Sequence, residues 1–211
     1  MILEEISEKL QAGKSKEVET LVQTALEEGI APAAILSDGL LAGMAVISEK
    51  FKAGTIFVPN VLVAARSMNK GMDIIKPLLI DEETKVKGKA VIGTVQGDLH
   101  DIGKNLCKMM LEGKGFEVID LGCDVPAETF IETAIRENCQ VIGCSALLST
   151  TMPVMKKVVD LCIERGIREK VYIMIGGAPV SEEYCKLIGA DCYTKDAATC
   201  ADYAASFVNE L

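Results

Sequence analysis

The 211-residue sequence predicts two folds in series: an N-terminal four-helix bundle, then an α/β domain with a doubly wound, five-stranded parallel sheet. Three observations predict it. Apolar residues recur at three- and four-residue spacing through residues 1–80. A polar stretch, 81–87, interrupts that pattern and reads as a linker. From residue 88 to 211 five short apolar runs alternate with five helical patterns, as expected of parallel strands joined by right-handed helical crossovers.

In the first half, helices are expected over 4–11, 15–28, 32–53 and 59–78. Pro32 and Pro59 stand near helix starts, where a missing N–H costs nothing. Gly13, Gly29 and Gly54 fall at helix ends. Leu36, Leu40, Ala42, Met44, Ile47 and Phe51 form one apolar stripe. Val61, Leu62, Ala65, Met68, Met72 and Ile75 form another. In the second half, strands are expected at 90–95, 117–121, 141–145, 171–175 and 191–193. Helices are expected at 103–113, 127–138, 152–165, 181–187 and 197–208. Ligands of such sheets bind beyond the carboxyl ends of the strands, where the winding reverses. That selects the loops beginning near Gln96, Ser145 and Gly176.

Composition excludes several functions. A chain with 49% hydrophobic and 25% charged residues can bury a core. The net charge of −9 and the lack of a basic block argue against a nucleic-acid partner. Aromatics at 4%, with no Trp, argue against a base- or sugar-stacking surface. No apolar run reaches the ~18 residues of a membrane span. Residues 1–20 mix Glu and Lys and do not read as a secretory signal, so a cytoplasmic protein without a membrane partner is expected. The eight cysteines (107, 123, 139, 144, 162, 185, 192 and 200) form no CxxC pair, and one histidine leaves little for a close-spaced zinc site. They read as reduced thiols, mostly in apolar segments.

The only histidine lies in the first of the selected loops, in Gly97-Asp98-Leu99-His100-Asp101-Ile102-Gly103. A neutral imidazole can bind a transition metal through one nitrogen when the other N–H has an acceptor, and Asp98 is near enough in sequence to accept it. Gly103 would let backbone approach a bulky ligand closely. The spacing alone leaves two readings open, a metal ligand and a structural or helix-capping histidine. Gly93, Gly97 and Gly103 do not fit the spacing of a dinucleotide fingerprint.

Asp98-x-His100-x-x-Gly103 resembles the corrinoid-binding motif of cobalamin-dependent proteins. Ser145-Ala-Leu-Leu-Ser149-Thr-Thr151 resembles that family's second segment, and Gly176-Gly177-Ala178-Pro179 its third. With the helical half, the chain looks like the cobalamin module of methionine synthase and the corrinoid proteins of methanol and methylamine methyltransferase systems.

The resemblance implies a flavodoxin-like, Rossmann-like cobalamin-binding fold and a cobalamin or related corrinoid cycling between methylcob(III)alamin and cob(I)alamin. His100 is the implied lower axial cobalt ligand, Asp98 accepts its second N–H, and Thr151 extends the relay. Gly97, Leu99, Asp101, Ile102 and Gly103 belong to the implied cofactor loop. Ser145, Leu147 and Ser149 would line a slot for the corrinoid's nucleotide tail, and Gly176, Gly177 and Ala197 would give it room. Phe51, Val58 and Val61 fall where the family's helical lid faces the corrin. Ser37 departs from the acid that methionine synthase carries in its lid. The implied role is a methyl carrier, a subunit and not a complete enzyme. It would serve a substrate-specific methyltransferase, a second methyltransferase acting on coenzyme M or tetrahydrofolate, and a reductive activase. An adenosylcobalamin mutase subunit would need a large substrate barrel. A cobalamin-dependent sensor would need a DNA-binding module, which the acidic composition disfavours. A flavodoxin-like redox domain without cobalt is a further alternative, distinguished by its absorbance.

Overall fold

The computed structural model describes residues 1–78 and 87–210. Of the expected linker only Lys87 lies within the described residues. They divide into two compact units, one helical and one α/β.

The helical unit contains α1 (Ile2–Gln11), α2 (Ser15–Glu27), α3 (Pro32–Lys52) and α4 (Val58–Ile75), which runs into a 3₁₀ turn at Lys76–Leu78. Helix α2 packs along α4, and α1 packs against α2 and α3. Their buried faces supply the core: Ile6 and Leu10, Val18 and Val22, Leu40 and Ile47, Val61 and Met68. Burying each such side chain contributes about 1.5–3 kcal/mol before the entropy of ordering is subtracted.

Within α3, residues Ile35–Leu41 are π-helical. The widened turn carries one extra residue, so the apolar stripe shifts phase: Ile35 is buried and Leu36, expected in the core, is only half-buried. The same turn sets Gly39 against Ile6, where a Cβ would stand 3.1 Å from Cγ2. Leu62, expected in the second stripe, is exposed, and Gly71 is buried instead. A Cβ on Gly71 would come to 2.8 Å from Leu40. Helix α3, with mean hydropathy 1.3, is long and apolar enough by length and composition to cross a membrane, a point the reading of apolar runs did not anticipate. Its apolar face is nonetheless spent on bundle packing, with Ile35, Leu40, Met44 and Ile47 all buried.

The α/β unit alternates β1 (Gly88–Thr94), α5 (Ile102–Glu112), β2 (Phe116–Asp120), α6 (Ala127–Glu137), β3 (Val141–Ser145), α7 (Pro153–Glu164), β4 (Tyr172–Gly176), α8 (Glu182–Ile188), β5 (Cys192–Tyr193) and α9 (Ala197–Asn209). The sheet is parallel throughout, in the order β2-β1-β3-β4-β5. Strand β1 leads outward to β2, and β3 then returns to β1's other side. The winding therefore reverses between β1 and β3. Their register, Ala90 opposite Val141 through Thr94 opposite Ser145, brings both carboxyl ends level.

One face of the sheet buries Val91, Val95, Ile142, Cys144, Ile173 and Ile175 against Phe130, Met155 and Val158 of α6 and α7. Gly93 makes that packing fit, since a Cβ there would lie 2.8 Å from the Phe130 ring. Helices α5 and α9 pack together and against β1 and β4 respectively, and Tyr172 stacks on Phe207 at 4.7 Å.

Beyond β4, Gly177 has φ +129°, and a Cβ would sit only 1.7 Å from the Ala146 carbonyl oxygen. The loops after β3 and β4 touch backbone to backbone here, with the Ala146 N–H donating to the Gly176 carbonyl at 3.0 Å. The Gly177→Ala variant is expected to lose on the order of 3 kcal/mol of stability, read as a lower urea midpoint. An unchanged midpoint would show that this contact is easily relieved.

Candidate functional site

Because β1 and β3 are neighbours, the loops that follow them meet. The β1 loop carries Asp98 and His100; the β3 loop carries Leu147, Leu148 and Thr151. Asp98 is fully buried at the junction. Its Oδ1 accepts from the His100 backbone N–H at 3.0 Å and pairs with His100 Nδ1 at 2.7 Å. Its Oδ2 accepts from the N–H groups of Leu147 (2.7 Å) and Leu148 (3.1 Å). Thr151 Oγ1 lies 3.1 Å from the same oxygen and 2.8 Å from the Leu148 carbonyl, so its single proton has two acceptors.

Burial alone pushes the Asp98 carboxyl upward. The hydrogen bonds from the His100 backbone and ring, and from Leu147 and Leu148, outweigh it and hold the group well below the usual carboxylate range. An ionised Asp98 selects the tautomer of a neutral imidazole: Nδ1 carries the proton toward the carboxylate, which leaves the Nε2 lone pair for a ligand. The His100 side chain is 52% exposed, so this nitrogen belongs to an accessible ring.

The His100 loop is also held from β2's side, which the sequence reading missed. Thr94, buried at the end of β1, donates its hydroxyl to the His100 carbonyl at 2.9 Å. Asp124 accepts from Gly97 N–H at 2.7 Å and donates its own N–H to the Asp98 carbonyl at 3.0 Å. Lys104, 3% exposed, pairs with Asp120 at 2.7 Å, and Asp120 also accepts from the Gly122 N–H at 2.9 Å. The available signal was position: Thr94 ends β1, and Asp120 and Asp124 stand at or just after the carboxyl end of β2, the other neighbour of β1.

The remaining expected residues divide. Leu99 and Ile102 are 74% and 75% exposed, and Leu147 is 43% exposed. With His100 they form an apolar, solvent-facing surface around an imidazole. Asp101 accepts from the Asn105 side chain at 3.0 Å in the first turn of α5. Gly97 takes φ +85°, while a Cβ on Gly103 or Gly176 would meet nothing within 4 Å. Ser145 is half-buried and Ser149 exposed. Neither caps α7, whose N-cap Met152 makes no side-chain cap bond. Gly177 is needed for the Ala146 contact described above, a reason the sequence did not show. Ala197 is buried at the start of α9. In the helical unit Phe51 and Val58 are half-buried and Val61 is fully buried. Ser37 is exposed in the π-helical stretch and donates its hydroxyl to the Asp38 carboxylate at 2.8 Å.

The donor set fits a large apolar cofactor with a metal at its centre: one tautomer-locked imidazole, surrounding exposed leucine and isoleucine, and open space beside Gly176. The chain's relatives agree. A B12 binding domain model matches residues 88–203, and a second model, also described as a B12 binding domain, matches residues 2–76. The chain is 43% identical to dimethylamine corrinoid protein 2 of Methanosarcina acetivorans over 197 residues, 93% of this chain and 91% of the relative. It is 44% identical to trimethylamine corrinoid protein 1 of the same organism over 179 residues, 84% and 83% of the two chains. It superposes on the methanol:cobalamin methyltransferase complex of Methanosarcina barkeri with TM-score 0.91 and 31% identity, over 100% of this chain and 80% of that one.

Fold and site together define a cobalamin-binding protein. The chain belongs to the B12-binding corrinoid protein family, and its cofactor is cobalamin or a related corrinoid.

Because the folded Asp98 carboxyl is depressed, the stability it contributes is present above the unfolded carboxylate value of about 4 and drains as pH falls below it. Asp98→Asn should therefore cost on the order of 2 kcal/mol near neutral pH, with the gap to wild type closing below about pH 4. Urea titrations of both proteins across pH check this; a gap that does not depend on pH would contradict it.

Proposed function

We propose that this chain carries a methyl group on the cobalt of its corrinoid. A substrate-specific methyltransferase loads it, and a second methyltransferase acting on coenzyme M or tetrahydrofolate unloads it. The protein is then a carrier subunit, with substrate specificity residing in its partners, and it works in the cytoplasm. The observation that carries this reading is the Thr151–Asp98–His100 relay at the sheet's winding reversal. The relatives named as dimethylamine and trimethylamine corrinoid proteins favour a methylamine as the methyl source.

In this reading His100 Nε2 would hold the cobalt of the corrinoid, which would supply a metal centre able to accept and give up a methyl group. Asp98 holds the Nδ1 proton and makes the imidazole a stronger donor. Thr151 can turn its hydroxyl toward Asp98 or toward Leu148, which adjusts the negative charge felt by the ring. Leu99, Ile102 and Leu147 shield the lower face from water, and Gly97, Asp101 and Gly103 shape the loop that presents them. Ser145, Ser149, Gly176 and Ala197 flank the nucleotide tail. Gly177 serves that slot indirectly, by letting the two loops close on each other. Phe51 and Val58 are assigned to a helical cap that would keep water and oxidants from the cofactor, and the fully buried Val61 to the packing within that cap. A reductive activase would restore accidentally oxidised cobalt.

His100→Ala is expected to keep the fold and to bind the corrinoid without protein-derived axial coordination, seen as a changed absorption spectrum of the bound cofactor. A spectrum identical to wild type would refute the assignment. In methyl-transfer assays with purified partner enzymes, that variant should also lose most of its turnover with dimethylamine or trimethylamine as donor.

A further inference from the structure

The chain path that brings Asp124 to the His100 loop departs from a regular sheet. From the Ile92–Asp120 pair to the Val95–Val125 bridge, the chain advances three residues on the β1 side and five on the β2 side. Thr94 straddles the excess. Its N–H donates to the Gly122 carbonyl at 2.9 Å, and its carbonyl accepts from the Val125 N–H at 3.0 Å. Cys123 and Asp124, the two residues between, bulge out of the ladder. Asp124 takes φ +57° there. Among the described residues one other non-glycine has a positive φ, Asn138 at +55°, and it ends α6, where a left-handed residue is ordinary. Asp124 has no such helical reason, since the N-cap of α6 is Pro126.

The bulge aims Asp124 at two residues. Its Oδ1 accepts from the Gly97 N–H at 2.7 Å, and its own N–H donates to the Asp98 carbonyl at 3.0 Å. The dipeptide Gly97-Asp98 is thus gripped at both ends by one residue. Asp98 in turn holds His100 through its backbone N–H and its ring. Asp124 is an exposed residue, and glycine would take the same φ without strain. What aspartate adds over glycine is the bond to Gly97.

We propose that Asp124 is a positioning residue for the cobalt ligand. Its bond to Gly97 holds the Asp98–His100 pair in one place before the corrinoid arrives, and without that bond His100 coordinates the cobalt in only part of the molecules. The first half stands on the geometry of the bulge; the second rests on the assignment of His100 to cobalt made above. Asp124 acts through Gly97 and Asp98, not on the metal. A ligand held ready binds without a further ordering cost, which is why a bond two steps from the imidazole bears on coordination.

Three full-length proteins separate the side chain from the backbone turn: wild type, Asp124→Gly and Asp124→Asn. Glycine adopts the left-handed φ freely but offers Gly97 no acceptor. Asparagine tolerates that φ and keeps an amide oxygen for the same bond. Without cofactor, amide hydrogen exchange over peptides spanning 96–101 should be on the order of tenfold faster in Asp124→Gly, the loss expected for one such hydrogen bond, with β4 and α7 peptides unchanged. Asp124→Asn should match wild type. Each protein is then made with ¹⁵N-histidine, loaded with cobalamin and reduced to Co(II). Electron paramagnetic resonance should show doublet splitting from the histidine nitrogen in wild type and Asp124→Asn, and a fraction of the signal without it in Asp124→Gly. Loop exchange in Asp124→Gly equal to wild type would overturn the proposal. So would a full share of doublets in Asp124→Gly, or an Asp124→Asn protein that behaves like Asp124→Gly. If wild type shows no doublets while the Asp124→Gly loop exchanges faster, the cobalt assignment of His100 is refuted and the grip of Asp124 on the loop is upheld.

Discussion

A carboxylate buried without exposure has to be surrounded by donors, and Asp98 is. Burying an unpaired charge costs several kcal/mol or more, so the fold must bring hydrogen-bond donors to it from somewhere. They come from two loops, one beside Asp98 itself and one about fifty residues further along the chain. Only strand adjacency can do that. The reversal of winding between β1 and β3 therefore does two jobs: it opens the crevice in which ligands of such sheets bind, and it closes the ring of donors that keeps Asp98 ionised. The tautomer of His100 follows from that ionisation, and the chemistry open to the ring follows from the tautomer.

The surrounding residues make the loop stiff enough for this to matter. Thr94 and Asp124 hold the chain on either side of His100, and the Lys104–Asp120 pair anchors the helix that follows. Gly93 and Gly177 contribute by what they lack. At the first, a side chain would displace Phe130 from the core; at the second, it would collide with the backbone of the neighbouring loop. Neither glycine touches the imidazole, yet each fixes an element on which the site stands.

Much of this was legible in the sequence. All five strands and the helices between them lie within two residues of their expected bounds, because each apolar run is short and sharply bordered. Asp98, His100 and Thr151 were identified by motif, and the structure brings them together. Three things were hidden. The π-helical turn at Ile35–Leu41 moved one stripe by a residue, and spacing rules assume a regular helix. The supports from Asp120 and Asp124 depend on β2 lying beside β1, which follows from strand order and not from any local pattern. The need for Gly177 comes from contact between two loops about thirty residues apart, where sequence shows only a doublet of glycines.

The helical unit is built as expected of a bundle, and its match to a B12 binding domain model joins it to the same family as the α/β unit. The central claim is narrower than the family: one imidazole nitrogen of this chain binds the cobalt. The chain has a single histidine, so the claim can be tested by isotope. Protein made with ¹⁵N-histidine and loaded with unlabelled corrinoid should, in its paramagnetic Co(II) form, show electron paramagnetic resonance lines split as doublets where unlabelled protein shows triplets. Triplets that persist in the labelled protein, or no nitrogen splitting in either, would contradict it.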